Sequence, residues 1–236
     1  MHEDAFRRYL GTLPDDQYMR DHLVRFVETW VRLEPYILGE RVFLELGPLS
    51  PVGLFLRDSL GKDVSSYEKD LRYPYELGDA TADVILSLEV VEHLNDAHSP
   101  TSSIGEIAAF TMSGARRMFT ESRRILRAGG LLFLTTPNAM SLDAVGNVLN
   151  KRHPFHYPPH VREYAVADVV MLASEAGFAR ETRSTFFAWE PWPDVDRRRL
   201  SEAFEAMGFD MSDRGNDAFY GFRKPRLTDP PAPARA

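Results

Sequence analysis

The chain of 236 residues contains no cysteine, and this absence excludes several kinds of chemistry at once. A disulfide framework, a thiolate nucleophile and a cysteine metal ligand are all ruled out. No apolar run approaches the roughly 20 residues needed to span a bilayer, and the opening Met-His-Glu-Asp lacks the basic and apolar regions of a signal peptide. We therefore expect a cytoplasmic protein without a membrane span.

An excess of basic charge is also missing, because the formal net charge is -7 at pH 7. Proteins that bind the nucleic-acid backbone need a basic surface, so the composition predicts no nucleic-acid partner. Hydrophobic residues make up 44% of the chain and charged residues 27%, which is ordinary for a globular protein. The length fits one substantial domain with a small addition.

Predicted strands and helices alternate along most of the chain. The clearest strand signals are residues 83–88 and 131–135, which are apolar and run directly into turn sequence. The sequence between them is mostly helical, and two buried strands joined in this way imply a parallel pair. Further strands are predicted at 41–46, 63–67, 179–188 and 218–223, and helices at 1–40, 54–60, 106–127, 165–176 and 195–207. This alternation predicts an α/β fold with a doubly wound sheet and helices on both faces.

Polar residues follow the two clearest strands. Glu89, Glu92 and His93 come directly after the first of them, and Thr136 and Asn138 end the second. The carboxyl ends of parallel strands are where such sheets carry their functional groups. In the same architecture, the loop after the first strand presents backbone N–H groups and a helix N-terminus to a nucleotide.

Five segments occur in an order that carries a family resemblance. They are Val42-Phe43-Leu44-Glu45-Leu46-Gly47, residues 70–85, Leu88-Glu89-Val90-Val91-Glu92-His93-Leu94, residues 125–138 and residues 160–178. Together they resemble the class I S-adenosylmethionine-dependent methyltransferases, especially the small-molecule enzymes of the ubiquinone and sugar methyltransferase group. The resemblance implies a Rossmann-like, mostly parallel sheet that is shortened around its second and third strands and has an antiparallel last strand.

The resemblance also implies S-adenosylmethionine as cofactor and assigns residues to it. Glu45 and Gly47 stand at the family's acid-x-Gly motif, and Glu68 stands at the acid that binds the ribose hydroxyls. The full cofactor-binding set is Glu45, Gly47, Gly53, Glu68, Asp70, Leu71, Leu88 and Glu89.

Two departures from the family pattern keep a second hypothesis open. The family loop reads acid-x-Gly-x-Gly-x-Gly, but Leu49 and Pro51 take the place of its second and third glycines, and Gly53 comes two residues late. Residues 61–70 are too few for the strand, helix and strand that the family has there. The alternative is a noncatalytic scaffold or partner protein with an eroded cofactor site. A nicotinamide dehydrogenase is disfavoured, because Gly-x-Gly-x-x-Gly does not follow the first strand.

Histidine supplies the candidate catalytic groups. Its ordinary pKa near 6.5 suits it to take a proton from a hydroxyl at neutral pH. The resemblance places His160 near the substrate mouth, and His93 is the second candidate. For both residues, a structural role in fixing a loop is the competing interpretation.

A metal site is not predicted, although histidines recur at positions 153, 156 and 160. Imidazole suits zinc or iron. The prolines at 154, 158 and 159 break any helix that would align these histidines, and no cysteine or nearby cluster of carboxylates completes a ligand set.

The sequence thus predicts an S-adenosylmethionine-dependent methyltransferase, with an oxygen acceptor favoured. The expected acceptor is a small polar molecule, a hydroxyl of a sugar or secondary metabolite, while nitrogen and carbon acceptors stay open. Residues 1–40 are expected to form a helical extension, 41–224 the methyltransferase-like domain and 225–236 a disordered tail. Residues 95–112 are interpreted as an insertion, and a homodimer is left open.

Overall fold

The computed structural model describes residues 2–96 and 111–226. The expected insertion at 95–112 and the expected tail from 225 onward lie largely outside these residues. The strands are β1 (Val42–Leu46), β2 (Asp63–Tyr67), β3 (Ala82–Leu88), β4 (Leu126–Pro137), β5 (Ala179–Phe186) and β6 (Asp217–Arg223). The helices are α1 (Glu3–Leu10), α2 (Gln17–Ile37), α3 (Pro51–Asp58), α4 (Ser113–Ile125), α5 (Leu142–Leu149), α6 (Val166–Glu175) and α7 (Arg197–Ala206).

The strands form one sheet in the order β2-β1-β3-β4-β6-β5. Neighbours from β2 to β4 pair in parallel, whereas β6 lies antiparallel between β4 and β5. The predicted fold class is therefore confirmed, including the antiparallel last strand. Between β2 and β3 the chain has no helix or strand, which confirms the shortening. The chain order reverses between β1 and β3, and open α/β sheets bind ligands in the crevice at such a point.

Two apolar cores cover the two faces of the sheet. One contains α4 and α6, and the other contains α1, α2 and α3. In the second core the ring of Trp30 lies 5.3 Å from that of Phe6 and 5.0 Å from that of Phe55, and all three side chains are buried. These contacts fasten the N-terminal helices to the sheet, which positions the first turns of α2 at its carboxyl edge. Within the described residues, no helix is long and apolar enough to cross a membrane.

The Gly129-Gly130 pair has a different role from the predicted one. The sequence interprets it as a helix stop, but α4 ends at Ile125 and β4 begins at the next residue. The pairing with β3 is irregular there, because Ala82 pairs with Leu126 whereas Val84 pairs with Leu131. The additional residues of β4 form a bulge, and Gly129 adopts a φ of 83° that suits glycine.

Helix α5 was missed, because the prolines and histidines of residues 137–163 predicted only a loop. The helix begins after Ser141, whose side chain accepts a hydrogen bond of 3.0 Å from the backbone N–H of Ala144. Serine followed by an apolar run is a helix-start signal. The sequence therefore contained this signal, and the loop-forming composition around it obscured it.

Candidate active site

A cavity of about 780 Å³ opens beyond the carboxyl end of β3. Its walls come from α2, from the turn after β3, from the loop near residue 160 and from the segment after β5. The side chains that define its chemistry are Arg25, Glu89, His93, His156, His160 and Trp189. Its volume lies within the range of small-molecule sites.

Glu89 is the first residue after β3 and turns the chain sharply. Its φ is 57°, in the left-handed region that is uncommon for a residue other than glycine. Its backbone N–H donates to the carbonyl of Thr135, 3.1 Å away. One carboxylate oxygen, Oε2, lies 3.5 Å from the guanidinium of the buried Arg25. The other, Oε1, is buried without a hydrogen-bond partner among the described residues. Backbone strain of this kind concentrates at functional sites.

Glu92 lies in the short 3₁₀ turn Val91–His93 that follows, and its side chain is fully buried. Its Oε2 accepts a hydrogen bond of 2.9 Å from the hydroxyl of Thr136. Its Oε1 has no hydrogen-bond partner among the described residues and lies 4.0 Å from Nε2 of His93. Burial raises the pKa of the Glu92 carboxyl well above its ordinary value, and the nearby charge of Glu89 raises it further.

The loop that carries His160 is attached to this turn. The backbone carbonyl of Glu92 accepts hydrogen bonds from the N–H groups of Val161, at 2.9 Å, and Arg162, at 3.1 Å. As a result, the rings of His93 and His160 meet with their centroids 4.8 Å apart. The two histidines that the sequence proposed separately therefore share one wall of the cavity.

A buried carboxylate orients the His160 ring. Nδ1 of His160 lies 2.7 Å from Oε1 of Glu163, which also accepts from the backbone N–H groups of His156 and Tyr157 at 2.6 and 3.3 Å. Because a carboxylate oxygen only accepts, the hydrogen resides on Nδ1, and the lone pair of the neutral ring is on Nε2. Glu163 was not selected from the sequence, because its contact with His160 depends on the folded conformation of the loop.

One ligand atom from each of Glu92, His93 and His160 lies within 4.8 Å of the other two. The sequence had compared His160 only with the histidines at 153 and 156. Glu92 is 68 positions away along the chain, and the pairing of β3 with β4 brings the two segments together. This grouping is the only one of its kind among the described residues.

Aromatic rings form the opposite wall. The ring of His156 stacks on Trp189 with a centroid distance of 4.4 Å, and the indole N–H of Trp189 donates to Nδ1 of His22 at 3.0 Å. His22 in turn lies 4.4 Å from the ring of Tyr18. Burial lowers the pKa of His22 to about 4, with the charge of Arg25 as the next cause, so this ring is neutral and can accept that bond. The sequence had not related α2 to the site.

The predicted cofactor residues fall into two groups, and the first group lies at the ends of β1, β2 and β3. Gly47 has a φ of 90°, and its N–H donates to the carbonyl of Tyr67 at 2.9 Å. A Cβ on Gly47 would lie 3.8 Å from the side chain of Val90, so the absence of a side chain keeps open the gap between β1 and β3. Leu88 and Glu89 are on the far side of that gap, and Glu68 is exposed just beyond β2.

The second group has other partners in this structure. Asp70 forms an ion pair with Arg72 through both carboxylate oxygens, which lowers the pKa of Asp70. Leu71 is buried in the core that contains α4 and α6. A Cβ on Gly53 would lie 2.0 Å from Oε2 of Glu45, so Gly53 makes room for that carboxylate. Cofactor contacts by these residues stay predictions.

Glu45 is buried beneath the loop after β1. Only 1% of its surface is exposed, and its Oε2 has no hydrogen-bond partner among the described residues. Burial raises the pKa of its carboxyl to about 7, although hydrogen bonds from Ser50 lower it. Glu45 is therefore held by Ser50 on one side and keeps one buried oxygen without a partner among the described residues.

The chain is similar to methyltransferases over part of its length. No protein-family model matches the chain. A protein of Mycolicibacterium smegmatis, named as a probable S-adenosylmethionine-dependent methyltransferase, is 27% identical over 130 residues. That match covers 55% of this chain and 41% of the relative, so the chain spans about two fifths of the length of that protein.

Solved structures share the fold at low sequence identity. A methyltransferase of Archaeoglobus fulgidus that depends on S-adenosylmethionine matches with a TM-score of 0.59 and 17% identity, covering 89% of this chain and 100% of that one. Another from Thermotoga maritima matches with a TM-score of 0.55 and 16% identity, covering 95% of this chain and 100% of that one. The fold is therefore that of the class I S-adenosylmethionine-dependent methyltransferases, as the sequence resemblance predicted. The narrower likeness to ubiquinone and sugar enzymes stays a prediction.

Proposed function

We propose that this protein transfers a methyl group from S-adenosylmethionine to a hydroxyl of a small polar molecule bound in the cavity. The observation that carries the proposal is the position of His160. His160 lines the cavity and its Nδ1 is held by Glu163, beside the crevice where this fold binds its ligand. The fold and the relatives support the type of reaction, and the cavity supports a small acceptor.

The crevice between β1 and β3 has features that fit the cofactor. Gly47 leaves it without an obstructing side chain, and Oε1 of Glu89 is a buried acceptor that lacks a partner among the described residues. Glu68, exposed at the end of β2, is suited to accept hydrogen bonds from ribose hydroxyls. When bound, S-adenosylmethionine would supply an activated methyl group on a sulfonium sulfur. Gly47, Glu68, Leu88 and Glu89 are the residues that would hold it.

Acceptor activation is assigned to the histidines. A hydroxyl must lose its proton as its oxygen becomes the nucleophile, and Nε2 of His160 is the group proposed to take that proton. Glu163 would then stabilise the positive imidazolium, as the carboxylate does in other carboxylate–histidine pairs. His93, whose ring adjoins His160, is the second candidate. The rest of the cavity contributes by holding the acceptor oxygen in line for attack.

The acceptor class follows from the walls of the cavity. Polar groups from α2 and the loop near residue 160 combine there with the flat surfaces of Trp189 and His156. Sites of this composition select compact molecules that have several polar groups around an apolar or ring-shaped body. A sugar or secondary metabolite with a reactive hydroxyl meets this description.

Calorimetric titration with S-adenosylhomocysteine tests the proposal directly. We expect binding to the unaltered protein and loss of binding in Gly47→Val, because a β-branched side chain at a positive φ would fill the crevice. Gly39→Val is the matched control, since a Cβ on Gly39 meets nothing within 4 Å. Glu68→Gln offers a second test on an exposed residue, where misfolding is not a concern.

The outcomes separate the two functional hypotheses. Weakened binding in Gly47→Val and Glu68→Gln, with normal binding in Gly39→Val, supports the cofactor site. No detectable binding by the unaltered protein would refute the proposal and favour the noncatalytic scaffold.

Three further expectations accompany the proposed function. A cytoplasmic location would be tested by fractionating cells, and a homodimer by sedimentation of the purified chain. The helical extension at 1–40 and the methyltransferase-like domain at 41–224 would be tested by limited proteolysis, and cleavage near residue 40 that leaves 41–224 folded would support this division.

A further inference from the structure

We infer that Glu92, His93 and His160 bind a divalent first-row transition-metal ion on the inner wall of the cavity. The inference rests on these side chains and not on the proposed methyl transfer. While the ion is bound, the lone pair of Nε2 coordinates it, so His160 can act as the proposed base only in the metal-free protein.

The donor set is suited to such an ion. Two imidazoles and one carboxylate, with no thiolate, favour iron, cobalt or zinc over magnesium and calcium, which prefer oxygen ligands alone. The set comes from two rigid parts of the fold, because Glu92 and His93 lie in the 3₁₀ turn and His160 lies in the loop bonded to that turn.

The free oxygen of Glu92 is an independent observation that indicates a ligand. Thr136 fixes Oε2, and this contact leaves Oε1 fully buried without a hydrogen-bond partner among the described residues. Burying an unsatisfied carboxylate oxygen is unfavourable unless a positive group meets it. Oε1 is directed toward His93, and a cation bound between them would satisfy it.

His160 has the support that metal-binding histidines usually have. Such residues donate their other ring N–H to a carboxylate or carbonyl, which fixes the tautomer and the ring orientation. Glu163 accepts from Nδ1 of His160, and two backbone N–H groups hold Glu163 in turn. This arrangement presents Nε2 as the available ligand atom.

The local charge favours a cation as well. Glu89 and Asp217 both act electrostatically on Glu92, so three carboxyl groups lie near one another in the interior. Arg25 forms an ion pair with Glu89 at 3.5 Å and is not part of the ligand set. A divalent ion beside Glu92 would offset the negative charge that Arg25 leaves uncompensated.

Only a small movement is needed to complete the site. Tetrahedral ligands that are each about 2.1 Å from one ion lie about 3.4 Å apart. The ligand atoms here lie within 4.8 Å of one another, so the most distant pair must approach by up to about 1.4 Å. Rotation of the His93 side chain, 47% of which is exposed, can supply this movement.

Titration with cobalt provides a test that does not depend on enzymatic activity. The full chain would be treated with EDTA, desalted and titrated with Co²⁺, following its visible absorption bands, and then with Zn²⁺ by calorimetry. We expect one ion per chain, with at least tenfold weaker binding in His93→Gln and in His160→Gln. Glu163→Gln should weaken binding by about 10- to 100-fold through misorientation of His160. His153→Gln is the matched control, because His153 is exposed and outside the ligand set.

Each outcome bears on the inference. One-to-one binding that is lost in His93→Gln but kept in His153→Gln supports it, and stronger binding of Zn²⁺ than of Mg²⁺ supports the class of ion. Equal Co²⁺ binding by the unaltered protein and His93→Gln would overturn it, as would no binding at all. Titrating S-adenosylhomocysteine into the EDTA-treated protein keeps the two proposals apart. Cofactor binding without metal binding refutes only the metal site, and metal binding without cofactor binding refutes only the proposed transfer.

Discussion

Replacing Glu45 with glutamine should make the protein more stable at alkaline pH. Burial raises the pKa of the folded Glu45 carboxyl to about 7 from the ordinary 4.5. Between these two pH values the folded state holds a proton that the unfolded state releases. The contribution of Glu45 to the free energy of unfolding is therefore fully present below pH 4.5 and is lost as the pH rises through 7. Glutamine has the same shape and stays neutral, so the variant avoids this loss.

The size of the effect follows from the two pKa values. A displacement from 4.5 to about 7 corresponds to about 3 kcal/mol at 1.36 kcal/mol per unit. No correction for solvent screening is needed, because the side chain is 1% exposed. We expect the free energy of unfolding of Glu45→Gln, relative to the unaltered protein, to rise by about 2 to 3 kcal/mol between pH 5 and pH 8.

Urea unfolding at both pH values would measure this difference. Other buried carboxyl groups titrate in both proteins and cancel in the comparison, provided that they do not contact Glu45. Glu205→Gln is the control, since Glu205 is exposed and should give the same difference at both pH values. A difference for Glu45→Gln that does not change with pH would refute the assigned ionisation.

Two further predictions concern catalysis and helix formation. His160→Ala should lower turnover of bound acceptor by about 10² to 10⁴-fold while leaving S-adenosylhomocysteine affinity nearly unchanged, and a fully active, stable variant would exclude His160 as the base. Ser141→Ala should reduce the free energy of unfolding by about 1 kcal/mol, because the N–H of Ala144 loses its cap. Thermal unfolding would measure the second effect, and an unchanged melting temperature would contradict it.

The sequence predicted the sheet well, because hydrophobic periodicity and turn residues are local signals. Strand β2 was predicted with the same bounds that the structure gives, and β3 was predicted to within one residue. The errors arose where local signals compete. Glycine commonly ends a helix, so Gly129 was predicted to do so. In the structure it adopts the positive φ required by the bulge of β4 opposite β3.

The candidate site was less predictable, since it depends on contacts between distant segments. His160 and His93 were both selected by resemblance, but their common neighbour Glu92 becomes significant only when the carbonyl of Glu92 binds the loop at Val161. No sequence pattern indicated that α2 lines the cavity. Arg25 has the sequence context of an ordinary helical arginine, and only the structure shows that it is buried against Glu89.

The walls of the cavity have a consequence for the evolution of this protein. The groups beside the crevice come from β1 and β3, in the middle of the sheet, whereas Tyr18, His22 and Trp189 come from α2 and from the segment after β5. Mutations in these outer segments change the shape of the cavity without disturbing the central strands. Under the proposed function, natural selection can therefore exchange one acceptor for another over many generations while the cofactor site between β1 and β3 is kept.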